Sequence, residues 1–246
     1  MSGTPTMSIE DLGDGDRLTV GAADREHVVV VQRGRVVVEQ TAPTGTRRTE
    51  LGGRADVFDG RASAVIVPAG RRVDLIGAGA AQVAVVSAPS ADKGEESALV
   101  RPDDVAVESR GRGHWAREVH DIVTGRGTGP HLVVGETFSR GGVWSSYPPH
   151  RHAKDDSPDE TRHAEVFHVR VEPPTGFAVF LDYPDDTRPE NARVVHDGDI
   201  VDGVEGFHSF ACAGGHELYY LWALWGQEPT ARFRTDARHA WIEGTP

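Results

Sequence analysis

The chain has almost no cysteine: Cys212 is the only one in 246 residues. An internal disulfide framework is therefore excluded, and stability has to come from a packed core. An excess of basic charge is lacking as well, since 26 Lys and Arg stand against 38 Asp and Glu and leave a formal net charge of -12. Nucleic acids and anionic membranes need a basic footprint, so this balance argues against both as partners. No apolar run approaches the ~20 residues of a membrane span. The opening Met1-Ser-Gly-Thr-Pro has no basic segment followed by an apolar one, and the expectation is a soluble, cytoplasmic protein. Helical periodicity is scarce. Histidine is scarce in one half only, because His27 is the sole one of twelve before residue 100. The first half thus cannot assemble a site of several imidazoles.

What the sequence does contain is short Val-rich runs punctuated by Gly and Pro, the texture of an all-β chain of barrels or sandwiches. The stretches 27–32 and 35–39 flank Arg33-Gly34, which predicts a tight hairpin between two β-branched runs. Further runs at 65–67 and 82–87, with Pro68-Ala-Gly70 between them, predict strands at even spacing. The same texture recurs in the second half, and two β-barrel domains are expected. Residues 1–16 are small and polar and read as a tail, 17–98 as a first barrel without metal ligands, and 99–246 as a second barrel. The small, charged stretch from Ser87 onward reads as the link between them. The segment Gly111-Arg-Gly-His-Trp-Ala-Arg-Glu-Val-His-Asp121 carries too many charges for a core strand. Its histidines are expected on a solvated edge. The run Leu218–Trp225, apolar on both faces, is expected to be a buried strand.

The second half also carries the candidate chemistry. In Trp144-Ser-Ser-Tyr-Pro-Pro-His-Arg-His152, His150 and His152 stand at i and i+2, and on a strand such residues share a face. Glu165, one loop later, and His208, in Gly206-Phe-His208, supply a carboxylate and a third imidazole. Three imidazoles with one oxygen suit a divalent transition ion, Zn, Mn, Fe, Co or Ni. Two histidine- and glycine-containing blocks in this order resemble the cupin pattern.

More specifically, the chain resembles the 5-deoxy-glucuronate isomerases of myo-inositol catabolism, which are related to the 5-keto-4-deoxyuronate isomerases of pectin breakdown. The resemblance rests on Leu51-Gly-Gly-Arg-Ala-Asp-Val-Phe-Asp-Gly60 and Val85-Val-Ser-Ala-Pro89 in the first half. In the second half it rests on Gly113-His-Trp-Ala-Arg-Glu-Val-His-Asp-Ile122, Val134-Gly-Glu-Thr-Phe138, Tyr219-Tyr-Leu221 and the specific Trp-Ser-Ser-Tyr-Pro-Pro-His-x-His string. It implies a bicupin with one divalent metal in the C-terminal barrel, on His150, His152, Glu165 and His208, in an oligomer of identical chains. It also implies aldose-ketose isomerisation of a deoxy-hexuronate, with Tyr147, Glu136 or Tyr219 moving the proton and Arg188 clamping the substrate carboxylate. Several positions depart from the family pattern. Phe180-Leu181 replace a Gln-Arg pair, Trp222 replaces an asparagine, Thr187 an arginine, and Ala164 one of two glutamates. Phe180 and Trp222 would thus wall a drier pocket. Two alternatives follow from that pocket: a cupin enzyme recruited to another small molecule, with iron as one option for its metal, or a non-catalytic metal- or sugar-binding cupin.

Overall fold

The computed structural model describes residues 3–42, 45–94, 96–124, 131–184, 191–204, 206–228 and 230–244. No helix among them is long and apolar enough to cross a membrane. The chain divides into two compact units, one of residues 1–106 with 120–134, the other of 107–119 with 135–246.

In chain order the first strands are β1 (Thr6–Leu12), β2 (Arg17–Val20), β3 (Arg25–Arg33), β4 (Arg35–Ala42), β5 (Gly45–Gly52), β6 (Ser63–Val67), β7 (Val73–Gly77), β8 (Ala81–Pro89) and β9 (Ala98–Val100). They form two sheets, β1-β8-β3-β6-β9 and β2-β7-β4-β5. The expected hairpin at Arg33-Gly34 does not exist, because β3 pairs with β6 and β8 while β4 pairs with β5 and β7. Gly34 is instead the corner at which the chain leaves one sheet for the other. It has φ +71°, and a Cβ there would lie 2.2 Å from the Ala80 carbonyl oxygen, so only glycine fits the corner. Both valine runs then turn side chains inward: Val29 and Val31 from one sheet meet Val36, Val38 and Leu75 from the other in a wholly aliphatic core. The expected tail is also corrected. Residues 6–12 are β1, paired along their length with β8, and Met7 and Leu12, which alternation places on opposite faces, are both buried.

The remaining strands are β10 (Ala106–Arg110), β11 (Arg117–Val123), β12 (Leu132–Arg140), β13 (Trp144–Arg151), β14 (His163–Glu172), β15 (Phe177–Tyr183), β16 (Asn191–His196), β17 (Ile200–Val201), β18 (Phe207–Cys212), β19 (Glu217–Gly226) and β20 (Arg234–Thr235). They make the sheets β10-β11-β12-β19-β14-β17 and β16-β15-β18-β13-β20. Of the two histidines expected on a solvated edge, His114 is exposed, but His120 lies buried within β11. The β19 strand is buried on both faces as its sequence suggested. Phe167 and Tyr220 from one sheet meet Phe180 and Phe210 from the other, so this core is aromatic.

Candidate metal centre

An irregular ladder builds the site. Trp144 and Ser145 pair with Ala211 and Phe210, and then the register shifts so that His150 faces His208. In an unbroken ladder Tyr147 would face His208. Three extra residues in β13 put His150 there instead, and an odd insertion also exchanges the faces of every later side chain. Ser146 accepts a left-handed φ of 53° within this bulge. Side chains pin it: the Tyr220 hydroxyl lies 2.7 Å from Ser145 Oγ and 3.0 Å from Ser146 Oγ, and Ser209 Oγ donates to the Ser145 carbonyl at 2.9 Å. Just past the strand, Glu160 is fully buried and accepts from Arg151 Nε at 3.1 Å and from the Ala153 and Lys154 amides at 2.8 and 3.0 Å. The turn that carries His152 is thereby fixed.

His150, His152 and His208 form a group whose ligating atoms all lie within 4.8 Å of one another. Glu165 reaches across from the other sheet, with Oε2 at 2.9 Å from His152 Nε2 and 3.2 Å from His208 Nε2. Two imidazoles are oriented from behind. His152 Nδ1–H donates to the His163 carbonyl at 2.8 Å, and His208 Nδ1–H to the Gly206 carbonyl at 3.1 Å. Each therefore presents Nε2 inward, the arrangement that suits a metal-ligating histidine. The Phe180 ring stacks 6.2 Å from that of His208, and Phe233 packs edge-on to His150 and His152 at 5.1 and 5.6 Å.

The electrostatics fit a cation. Loss of water, reinforced by the charges His208 and His152 would carry, holds the His150 pKa well below its ordinary value, so its ring is neutral. Burial would push the Glu165 carboxyl up, but His152 outweighs it by charge and hydrogen bond and holds the pKa at about 2. Burial likewise disfavours charge on His152, yet Glu165 raises its pKa. His152 Nε2 and Glu165 Oε2 share a hydrogen bond at 2.9 Å, which a bound ion would replace. Among the described residues His208 Nε2 is buried without a well-formed hydrogen bond, 3.2 Å from Glu165 Oε2. An unsatisfied buried acceptor beside an ionised carboxylate is explained by a bound ion. The donor set therefore fits one divalent metal.

The other candidate residues divide by strand face. Glu165, Phe167 and Val169 pair directly with Leu224, Trp222 and Tyr220, whereas Tyr219 pairs with Arg170. Directly opposed residues share a face and neighbours alternate. Tyr219 therefore points away from Glu165, and so does Glu136, whose Oε1 accepts the Tyr219 hydroxyl at 2.8 Å with both residues fully buried. These two are corrected: they pair with each other on the far side of the sheet from the triad. The Tyr219-Tyr220 doublet gave no clue to this, because apolar residues occupy both faces of β19. The inward tyrosine is Tyr220. Trp222 is on the inner face, its indole N–H donating to Thr137 Oγ1 at 3.1 Å, and Phe180 is fully buried. Tyr147 lies in the bulge with its ring 5.3 Å from Trp144. Arg188 falls outside the described residues. The sequence reading missed Asp182, which faces His208 directly in the ladder between β15 and β18. Strand alternation alone could not reveal it without the register.

Residues 2–242 match the KduI/IolB family. The 5-deoxy-glucuronate isomerase of Geobacillus kaustophilus (strain HTA426) is 34% identical over 233 residues, covering 94% of this chain and 83% of that protein. The protein of the same name from Bacillus subtilis (strain 168) is 28% identical over 238 residues, 96% of this chain and 86% of its own. Among solved structures, an IolB-like protein from Salmonella typhimurium LT2 superimposes with a TM-score of 0.91 at 29% identity, covering 98% of this chain and 90% of that one. The oxalate decarboxylase of Lactobacillus farciminis, solved as a formate complex, gives a TM-score of 0.65 at 10% identity, covering 100% of this chain and 82% of that one. That second likeness is one of fold alone.

Proposed function

The chain belongs to the KduI/IolB family and has its all-β cupin fold, and from that premise we propose that it is a metal-dependent aldose-ketose isomerase of a deoxy-hexuronate such as 5-deoxy-glucuronate. The observation that carries the reading is the convergence of His150, His152 and His208 on Glu165, in a chain 34% identical to a 5-deoxy-glucuronate isomerase.

His150, His152, His208 and Glu165 would hold one divalent transition ion. Bound there, the ion supplies Lewis-acid polarisation of the sugar carbonyl. The isomerisation takes one proton from C2 and returns one to C1, while the hydroxyl proton passes from O2 to O1. A group that accepts and returns a proton is therefore required within reach of both carbons. Asp182, opposite His208 in the ladder, is assigned the carbon-bound proton. Tyr147, in the bulge ahead of His150, is assigned the exchange between the oxygens. Phe180 and Trp222 supply an apolar wall, which excludes water and strengthens the charge interactions beside it.

The test is to incubate purified protein, loaded in turn with Zn, Mn, Fe, Co and Ni, with 5-deoxy-glucuronate and to follow the ketose by NMR. Conversion is expected, with wash-in of solvent deuterium at C1. Protein that leaves the compound unchanged with every one of these metals ends this reading.

A further inference from the structure

Among the described residues Arg117 has no counter-charge. It opens β11 half-buried, and its Nη1 reaches only the carbonyls of Trp115 and Tyr147, both at 3.5 Å. No carboxylate among the described residues meets it. By contrast, Arg151, Arg170, Arg234 and Arg238 are each paired with an acid at 3.1 Å or closer. Withdrawing a guanidinium from water without a carboxylate to offset its charge is costly, and burial accordingly lowers the Arg117 pKa. Such an arrangement is consistent with an anion that arrives from outside.

The position specifies which anion. Arg117 is close enough for its charge to act on the His150 imidazole and on the Tyr220 phenol. Tyr220 in turn holds Ser145 and Ser146. Arg117 thus borders the bulge on the His150 side of the triad, beside Tyr147. The chain as a whole carries a net charge of -12 and repels anions, so an acidic substrate needs a local cation. We infer that the Arg117 guanidinium binds the carboxylate of the sugar acid, next to His150. The inference rests on the proposed reading of the substrate as a uronate. Arg193 is the rival among described residues, with its guanidinium carbon 5.0 Å from the Phe180 ring centre. It is exposed, so water already solvates it and the gain from pairing is smaller.

Isothermal titration of the metal-loaded protein with D-glucuronate and with D-glucose, which lacks the carboxylate, tests the assignment on wild type, Arg117→Met and Arg117→Lys. Metal content and melting temperature are measured alongside. Wild type should bind glucuronate more tightly than glucose. Arg117→Met should weaken glucuronate about tenfold or more, as the loss of a charged hydrogen bond implies, and leave glucose unchanged, with Arg117→Lys in between. Its metal content should hold and its melting temperature hold or rise, because a desolvated, unpaired charge has been removed. Equal affinity of Arg117→Met and wild type for glucuronate overturns the inference. So does wild type that prefers glucose, a drop in metal or melting temperature that marks a structural role, or a loss that follows Arg193→Met or Arg188→Met instead. Conversion of 5-deoxy-glucuronate is scored separately. Wild type that fails to convert it while Arg117→Met loses glucuronate ends the isomerase reading and leaves the carboxylate assignment standing.

Discussion

The two units put antiparallel sheets face to face around very different interiors. In the first, Val29, Val31, Val65 and Leu75 fill the space with aliphatic carbon. In the second, Phe167, Phe180, Phe210 and Tyr220 fill the middle, and His150, His152, His208 and Glu165 occupy inner-face positions beside them. A sandwich needs only alternation and volume to form. Chemistry is a separate decision, made by a few inward positions where donors replace hydrocarbon. The aromatic filling reaches the ligands directly: the Phe180 ring stacks on His208 and the Phe167 ring meets it edge-on.

The largest effect should come from removing a donor. His208→Ala is expected to lower affinity for Zn or Mn by more than about 100-fold, beyond the range of losing a residue that merely supports a ligand. His27→Ala, in the first unit, should leave metal content unchanged. Elemental analysis of both variants checks the pair, and equal metal in wild type and His208→Ala would erase the contrast between the units.

The reciprocal break is Leu75→Ala, at a fully buried position of the aliphatic core. Leucine-to-alanine changes in such cores cost about 2–5 kcal/mol. Urea denaturation should register that loss while the metal bound per folded chain stays constant.

Acid chemistry sharpens the comparison next. Glu26 lies buried in the first unit, where desolvation pushes its pKa up to about 7 despite opposing backbone hydrogen bonds from Leu132 and His131. Folding therefore takes up a proton between its ordinary value of 4.5 and about 7. Stability from this group is complete below the lower value and falls as pH rises to the upper one, by about 3 kcal/mol in all. Glu26→Gln should flatten that slope in chemical denaturation followed from pH 4.5 to 7.5. Glu165, with its depressed pKa, works in the opposite sense in the second unit. An unchanged slope in Glu26→Gln would remove Glu26 as its source.

The smallest effect tests the two faces of β19. Tyr219→Phe deletes the hydrogen bond to Glu136 and should cost about 1 kcal/mol of stability, with metal content and kcat kept. A kcat reduced a hundredfold at equal metal content would return Tyr219 to the chemistry and contradict its outward orientation.

The sequence by itself determined the all-β class, through valine-rich runs cut by Gly and Pro. It also determined which half carries the imidazoles, and it marked His150 and His152 through their i, i+2 spacing, a local property, whereas Glu165 and His208 were marked by the order of the cupin-like blocks. Sheet partners were not legible. Arg33-Gly34 has hairpin composition, yet the strands it joins go to different sheets, since a glycine serves a corner as well as a turn. Residues 6–12 read as a tail because their partner, β8, lies some seventy residues away. Tyr219 and Tyr220 are indistinguishable on a strand buried on both faces until the register with β14 assigns one to each side. The bulge that sets His150 rather than Tyr147 opposite His208 depends on the pairing with β18. Likewise Arg117 reads as one charge among several in its segment until folding half-buries it with no acid beside it among the described residues. Composition and period are written in neighbouring residues, whereas register and counter-charge are relations between distant ones, and only the closed sandwich decides them.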